Sequence, residues 1–232
     1  MFRETPRSDG TPDRAWYPLG NIVASVGVIA ALLVMVGILT ITDSLEDYQL
    51  FVQSHFQSFS ELSEIPSDGP QIDADLYQAF LTQLSFLLPI VLAAGWIMIV
   101  LINLYGGAKI AALSGQLTRP WDDLSAISLP QMYGIAMVPA ILGTMLPGLI
   151  GLACLILLGT LAIAHAVIGL SILHSITRKF PGRAILLAIV YGGVMLLGFP
   201  LIILSVLGLI EPWARLRDRA ASGGSQSGPG RT

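Results

Sequence analysis

The run GNIVASVGVIAALLVMVGILTI at residues 20–41, followed by TDSLEDYQLFVQSHFQSFSELSEIPSDGPQIDADL at 42–76, decides how this chain is read. The first piece is apolar throughout and long enough to cross a hydrocarbon core of about 30 Å as a helix. The second carries eight acidic residues and no Lys or Arg, while the polar stretches on either side hold the cations. Cytoplasmic loops of membrane proteins carry an excess of Lys and Arg, so the acidic loop is expected outside and its neighbours inside. A cleaved signal peptide has a shorter apolar core, about 7–15 residues, and a small-residue cleavage site. The ending Ile38-Leu-Thr-Ile-Thr-Asp43 offers none, so 20–41 is expected to remain as an uncleaved first span.

Composition agrees. Of 232 residues 54% are hydrophobic and 12% charged, with mean hydropathy +0.75; soluble domains average about 25% charged. The net charge of −3 and the absence of a basic stripe argue against nucleic acid as a partner. Cys154 is the sole cysteine, which excludes an internal disulfide and a cysteine-based zinc site. Within an apolar run it reads as a small hydrophobe.

Outward from the opening stretch, residues 1–15 mix both charges with Pro and Gly and are expected to be a disordered tail. Trp16 and Tyr17 mark a headgroup-level belt. In the acidic loop Tyr48, Phe51, Val52, His55, Phe56, Phe59 and Leu62 recur at spacings of three and four, one apolar stripe on a helix over about 45–62. That helix either lies flat on the outer membrane surface or packs over the bundle mouth. A second span is expected at 79–105 with Pro89 inside it. The stretch 130–177 is too long for one helix, and Leu146-Pro147-Gly148 divides it into spans at about 131–146 and 149–176. The last apolar stretch is either one tilted helix or a hairpin. Gly198-Phe199-Pro200 and the basic end at Arg215, Arg217 and Arg219 favour the hairpin, with arms at 183–197 and 200–217. The expected fold is an all-α, polytopic membrane helical bundle over 16–219, with about six membrane helices and one outer amphipathic helix. Residues 220–232 form a Gly/Ser-rich tail expected to be disordered. Both termini are expected in the cytoplasm of a bacterial cell, with the bundle in its inner membrane.

Several segments share an order and spacing with a known family: Trp16-Tyr-Pro-Leu-Gly20, Asn103-Leu-Tyr105, Arg119-Pro-Trp121 followed by Leu129-Pro130, Ala162-Ile-Ala-His165, and Leu207-Gly-Leu-Ile210 leading to Trp213 and Leu216-Arg217. Over nearly all of 16–217 the chain resembles the YybS-like bacterial membrane proteins, domain of unknown function 2232, in their alphaproteobacterial form. The resemblance implies a multi-pass membrane protein and assigns no residue a role. Members of that family usually carry further membrane helices ahead of the Trp-Tyr-Pro-Leu-Gly segment, so the resemblance leaves a naturally short form, a late start or a fragment open.

The candidate ligand-binding residues are His165, Asn103 and Gln83. His165 lies near the middle of the fourth span, where a polar group is costly and is therefore a functional candidate; the competing role is an interhelical hydrogen bond. It is expected to face the bundle interior. Asn103, near the inner end of the second span, and Gln83, near its outer end, line a vestibule or tie helices together. His174 sits near the cytoplasmic end and does not pair with His165 for a metal. Asp122 and Asp123 after Trp121 suit the first turn of an interfacial helix. No phosphate-binding loop, nucleophile elbow or His-Glu-x-x-His motif occurs. No enzyme activity, cofactor, metal or catalytic residue is therefore expected. Two functions remain: small-molecule binding or transport within a larger assembly, or a non-transporting scaffold that recruits membrane-protein partners. The lipid bilayer is the partner common to both.

Overall fold

The computed structural model describes residues 2–6, 12–62, 73–117, 127–178, 180–217 and 219. Its helices are α1 (Leu19–Ile41), α2 (Leu45–Leu62), α3 (Ala74–Leu113), α4 (Gln131–Gly143), α5 (Gly148–Ile176), α6 (Arg183–Leu197) and α7 (Pro200–Ala214). The all-α membrane bundle stands. Ahead of α1, β1 (Phe2–Pro6) and β2 (Pro12–Trp16) pair antiparallel, Phe2 opposite Trp16, where the sequence suggested an unstructured tail. Residues 220–232, Asp122 and Asp123 lie outside the described residues.

The span count changes. Only α1, α3 and α5 are long and apolar enough to cross a membrane among the described residues. At about 1.5 Å per residue, α4 with 13 residues and α6 and α7 with 15 each fall short of about 30 Å. Against the six membrane helices expected, length and composition alone admit three crossings among the described residues, or four if α6 and α7, a broken pair bent by 118°, form one span, with α4 as a shorter apolar helix. The bend sits where the sequence placed it. Gly198 adopts φ +70, a conformation that glycine takes without a Cβ clash, and its N–H reaches back to the Gly193 carbonyl. Pro200 then starts α7 at a position that needs no N–H.

α3 overruns its expected limits at both ends. Asp73 accepts the Asp75 N–H at 2.8 Å and caps the start. Gly106 and Gly107 after Tyr105 stay helical, and the helix closes only at Gly115, with a φ of +70 and the Gln116 N–H→Ala111 carbonyl bond. α2 begins at a serine N-cap: the Asp47 N–H donates to Ser44 Oγ, which in turn donates to the Asp47 carboxylate.

Contacts divide the chain into two compact units. The first comprises Met1–Val26, Val100–Ile135 and Leu161–Thr232. Its core is Val23, Ala24, Leu129, Ala164, Ile168 and Ile172, with Leu101, Tyr133 and Leu216 packed against it. The second comprises Gly27–Ile99 and Ala136–Thr160. There α1 meets α5 through small residues: a Cβ on Gly27 would lie 3.5 Å from the Thr160 carbonyl oxygen. On α3 the buried positions are Leu81, Ser85, Pro89, Ala93 and Ile97, a strict four-residue repeat that draws one straight contact line. All twelve Lys and Arg fall in the first unit and none in the second, which holds the whole acidic loop.

Candidate functional site

His165 lies on the packed face of α5 and is 3% exposed, so it faces the interior. Of the residues three, four and seven positions to either side, which share its helix face, Leu161, Ile168, Gly169 and Ile172 are buried, and Leu158 and Ala162 half-buried. The ring Nδ1–H donates to the Leu161 carbonyl at 2.8 Å. A carbonyl only accepts, so the neutral ring carries its proton on Nδ1 and presents Nε2 as an acceptor. His55 and His174 form the same bond to the carbonyl four residues back, at 2.9 and 3.0 Å. This bond is thus a helical habit of every histidine here, and Nε2 is what distinguishes His165. That nitrogen looks toward α4, where a Cβ on Gly134 would lie 3.8 Å away. Behind the ring, α7 presses onto α5: a Cβ on Gly208 would overlap the His165 carbonyl oxygen, and one on Gly169 would overlap that of Leu204. Two glycines facing two carbonyls bring these backbones into contact.

The other candidates do not join His165. Asn103 is exposed on α3. Gln83 is also exposed and belongs to the second unit. His174 sits edge-on against Tyr191 of α6, ring centres 6.0 Å apart. Among the described residues, no three His, Cys, Asp or Glu side chains come together for a metal.

A polar cluster escaped the sequence reading. Glu211, near the end of α7, accepts the backbone N–H groups of Leu216 and Arg217 at 3.0 and 3.4 Å. Its carboxylate stands 3.6 Å from Arg217 Nε, an ion pair too long for a hydrogen bond. The Arg217 guanidinium donates to the Ile127 carbonyl at 2.9 Å and to Ser171 Oγ at 2.8 Å. One side chain thereby ties α5, α7 and the strand of chain before α4. Arg215, with φ 46, makes the turn that aims it. The sequence signal was an acid at 211 inside an apolar run, six residues before Arg217.

In the second unit, α2 is held on α3. The Tyr48 hydroxyl is buried and donates to the Ser85 carbonyl at 3.2 Å. Pro89 lacks the N–H that would have served that carbonyl within the helix, so Tyr48 supplies the missing donor. Burial pushes the Tyr48 hydroxyl pKa above its ordinary value. Phe56 meets Phe80 edge to face at 5.8 Å. The expected apolar stripe is therefore narrower: Tyr48 and Phe56 meet α3 and Val52 between them is buried, while Phe51 and His55 pack on each other in the open at 4.0 Å. The side chains of Phe59 and Leu62 lie outside the described set. Beside the start of α2 is a half-open groove of about 200 Å³, lined by Leu45, Phe86, Thr144, Pro147, Leu152 and Leu155.

A family model described as "Predicted membrane protein (DUF2232)" matches residues 14–211. The chain belongs to the DUF2232 family. No curated protein and no solved structure matches it. The DUF2232 match runs from β2 through almost all of α7 and covers His165 and the groove. It stops at Glu211, so Arg217 lies beyond it.

Proposed function

We propose that this DUF2232 protein is a non-catalytic scaffold of the bacterial inner membrane. It presents α2 outside the cell membrane to a partner and keeps both termini and residues 107–130 in the cytoplasm. The observation that carries this is the seating of α2. Tyr48 bonds one face to α3 and Val52 on that face is buried, while Leu50, Glu46 and Asp47 on the opposite side stay exposed. A helix capped, buried on one side and acidic on the other is a rigid platform rather than a loop. The separation of all cations from the acidic unit supports the orientation. Reporter fusions at Gly69 and Gly115 are expected to report opposite compartments. A photocrosslinking amino acid in place of Leu50, in native membranes, is expected to give discrete protein adducts; lipid adducts alone overturn the scaffold.

Small-molecule binding keeps one specific observation in its favour, His165 Nε2 facing Gly134. In a thermal-shift screen, a binder at that nitrogen raises the unfolding temperature by mass action. His165→Gln is expected to remove the rise and His165→Leu to do the same; a rise that survives both rules the site out.

A further inference from the structure

We infer that the groove beside α2 receives a single apolar side chain from a lysine- or arginine-rich segment of a partner protein. This rests on the scaffold assignment and names the partner's chemistry. The groove is built from Leu45 at the first turn of α2, Phe86 on α3, and the Thr144–Gly148 turn with Leu152 and Leu155 of α5. Its volume, about 200 Å³, is below the roughly 300–1,000 Å³ of small-molecule pockets. It suits one anchor side chain of the kind that dominates protein interfaces.

Charge selects the occupant. Asp43 and Glu46 flank Leu45 in sequence and are exposed. There is no Lys or Arg anywhere between Arg14 and Lys109 to offset them. A second copy of the chain would bring the same acidic loop and be repelled. An anionic headgroup would be repelled for the same reason. A cationic segment is steered toward these acids, and the apolar groove at Leu45, their neighbour in sequence, offers its anchor residue a place to bury. Thr144 is the polar lining group; its hydroxyl already donates to the Ile141 carbonyl at 2.7 Å, so the wall presents little unmet polarity to an apolar guest.

The full chain in zwitterionic phosphatidylcholine nanodiscs tests this with a dye-labelled peptide of four lysines around one phenylalanine, read by fluorescence anisotropy against empty discs. The peptide is expected to bind loaded discs above empty ones and to weaken with salt. Thr144→Trp, which fills the groove, and the double change Asp43→Lys with Glu46→Lys are each expected to weaken it roughly tenfold. Replacing the peptide's phenylalanine by alanine should reproduce the Thr144→Trp loss. Equal binding to empty discs, equal binding of a glutamate version, or indifference to both protein variants overturns the inference. A loss of co-purified phospholipid on Thr144→Trp, with peptide binding intact, makes a lipid tail the occupant and also overturns it. If Thr144→Trp fails to elute as the parent does on size exclusion, the surface charge pair decides alone. Should the groove fail while Leu50 still crosslinks to a discrete protein, the scaffold stands with another docking surface; should both fail, both assignments fall.

Discussion

Along α5, Leu152, Ile156, Leu161, Ala164, Ile168 and Ile172 are all buried, whereas α6, equally apolar over Arg183–Leu197, buries no residue. Hydropathy does not separate the two helices. What separates them is where backbones approach. α5 meets α7 at Gly169 and Gly208, α4 at Gly134 and α1 at Gly27. α6 owns Gly192 and Gly193, but a Cβ on Gly192 would meet nothing within 4 Å, and one on Gly193 only the Pro200 ring. Lipid tails are as apolar as leucine, so greasiness alone draws no two membrane helices together; close packing and polar ties do.

The sharpest way to break this contrast is Gly208→Val. Its side chain would enter the backbone contact between α7 and the His165 carbonyl, and backbone cannot move aside as a flexible side chain does. The expected cost is about 3 kcal/mol, the upper part of the overpacking range, read as a lower unfolding temperature in detergent. Gly192→Val on α6 should be near neutral by the same measurement. Equal effects at both positions would show that the glycine contact does not organise the bundle.

Next in size is Arg217→Ala. The side chain is 16% exposed, and Glu211 11%, so the pair is largely but not wholly withdrawn from water. Removing one partner of a fully buried pair costs about 3–5 kcal/mol; with the residual exposure here about 2 kcal/mol is expected. The loss should appear as faster proteolysis near Ile127, the carbonyl that Arg217 holds. Unchanged cleavage there would mean that the clamp does not fasten α5 and α7 to that segment.

How much of this was legible in the sequence follows from range along the chain. The acidic loop, the helix at 45–62, the division at Pro147 and the break at Gly198-Phe199-Pro200 are local patterns, and each appears in the structure. The length of α3 was missed because the apolar run stops at Tyr105 and Gly106-Gly107 follows, while helical bonding continues through that pair to the positive-φ turn at Gly115. The number of full crossings was less legible than the helices themselves, because a break signal marks where a helix ends without saying that each arm is long enough to cross. The interior position of His165 was legible from its apolar neighbours. The Arg217 clamp was not, since it joins residues 46 and 90 positions apart. Nor was the pairing of Tyr48 with Ser85, although Pro89 announces that some carbonyl four residues earlier needs a donor.

That pairing gives a smaller, more specific effect. Tyr48→Phe leaves the Ser85 carbonyl buried and unserved, a cost of about 1–2 kcal/mol. Pro89→Ala restores the helical N–H to that carbonyl, so Tyr48→Phe made in the Pro89→Ala background should cost much less. Equal costs in both backgrounds would disconnect the tyrosine from the proline. The pH dependence has a definite sign. The folded pKa of Tyr48 is raised above the unfolded value, about 10 for tyrosine, so its contribution is fully present below pH of about 10 and is lost as pH rises through the folded value. Tyr48→Phe should flatten that alkaline fall.

A matched pair of truncations, whose outer member has the smallest expected effect, completes the comparison. Ile168 on α5 and Ile189 on α6 are the same side chain on helices of similar hydropathy, 1% and 67% exposed. Truncating Ile168 opens a cavity among Val23, Ala24 and Ile172, and the loss of packed contacts there does not depend on whether water or lipid lies outside; about 2 kcal/mol is expected. At Ile189 acyl chains can close over the alanine, so the change should stay within about 0.5 kcal/mol, the range of surface substitutions. The measurement is the difference between the two variants under one set of lipid conditions, which cancels any general effect of the detergent. A loss at Ile189 as large as at Ile168 would mean that α6 is packed in the membrane against a protein surface. The scaffold would then have a second docking face inside the bilayer, formed by α6, none of whose residues is fully buried within its own chain.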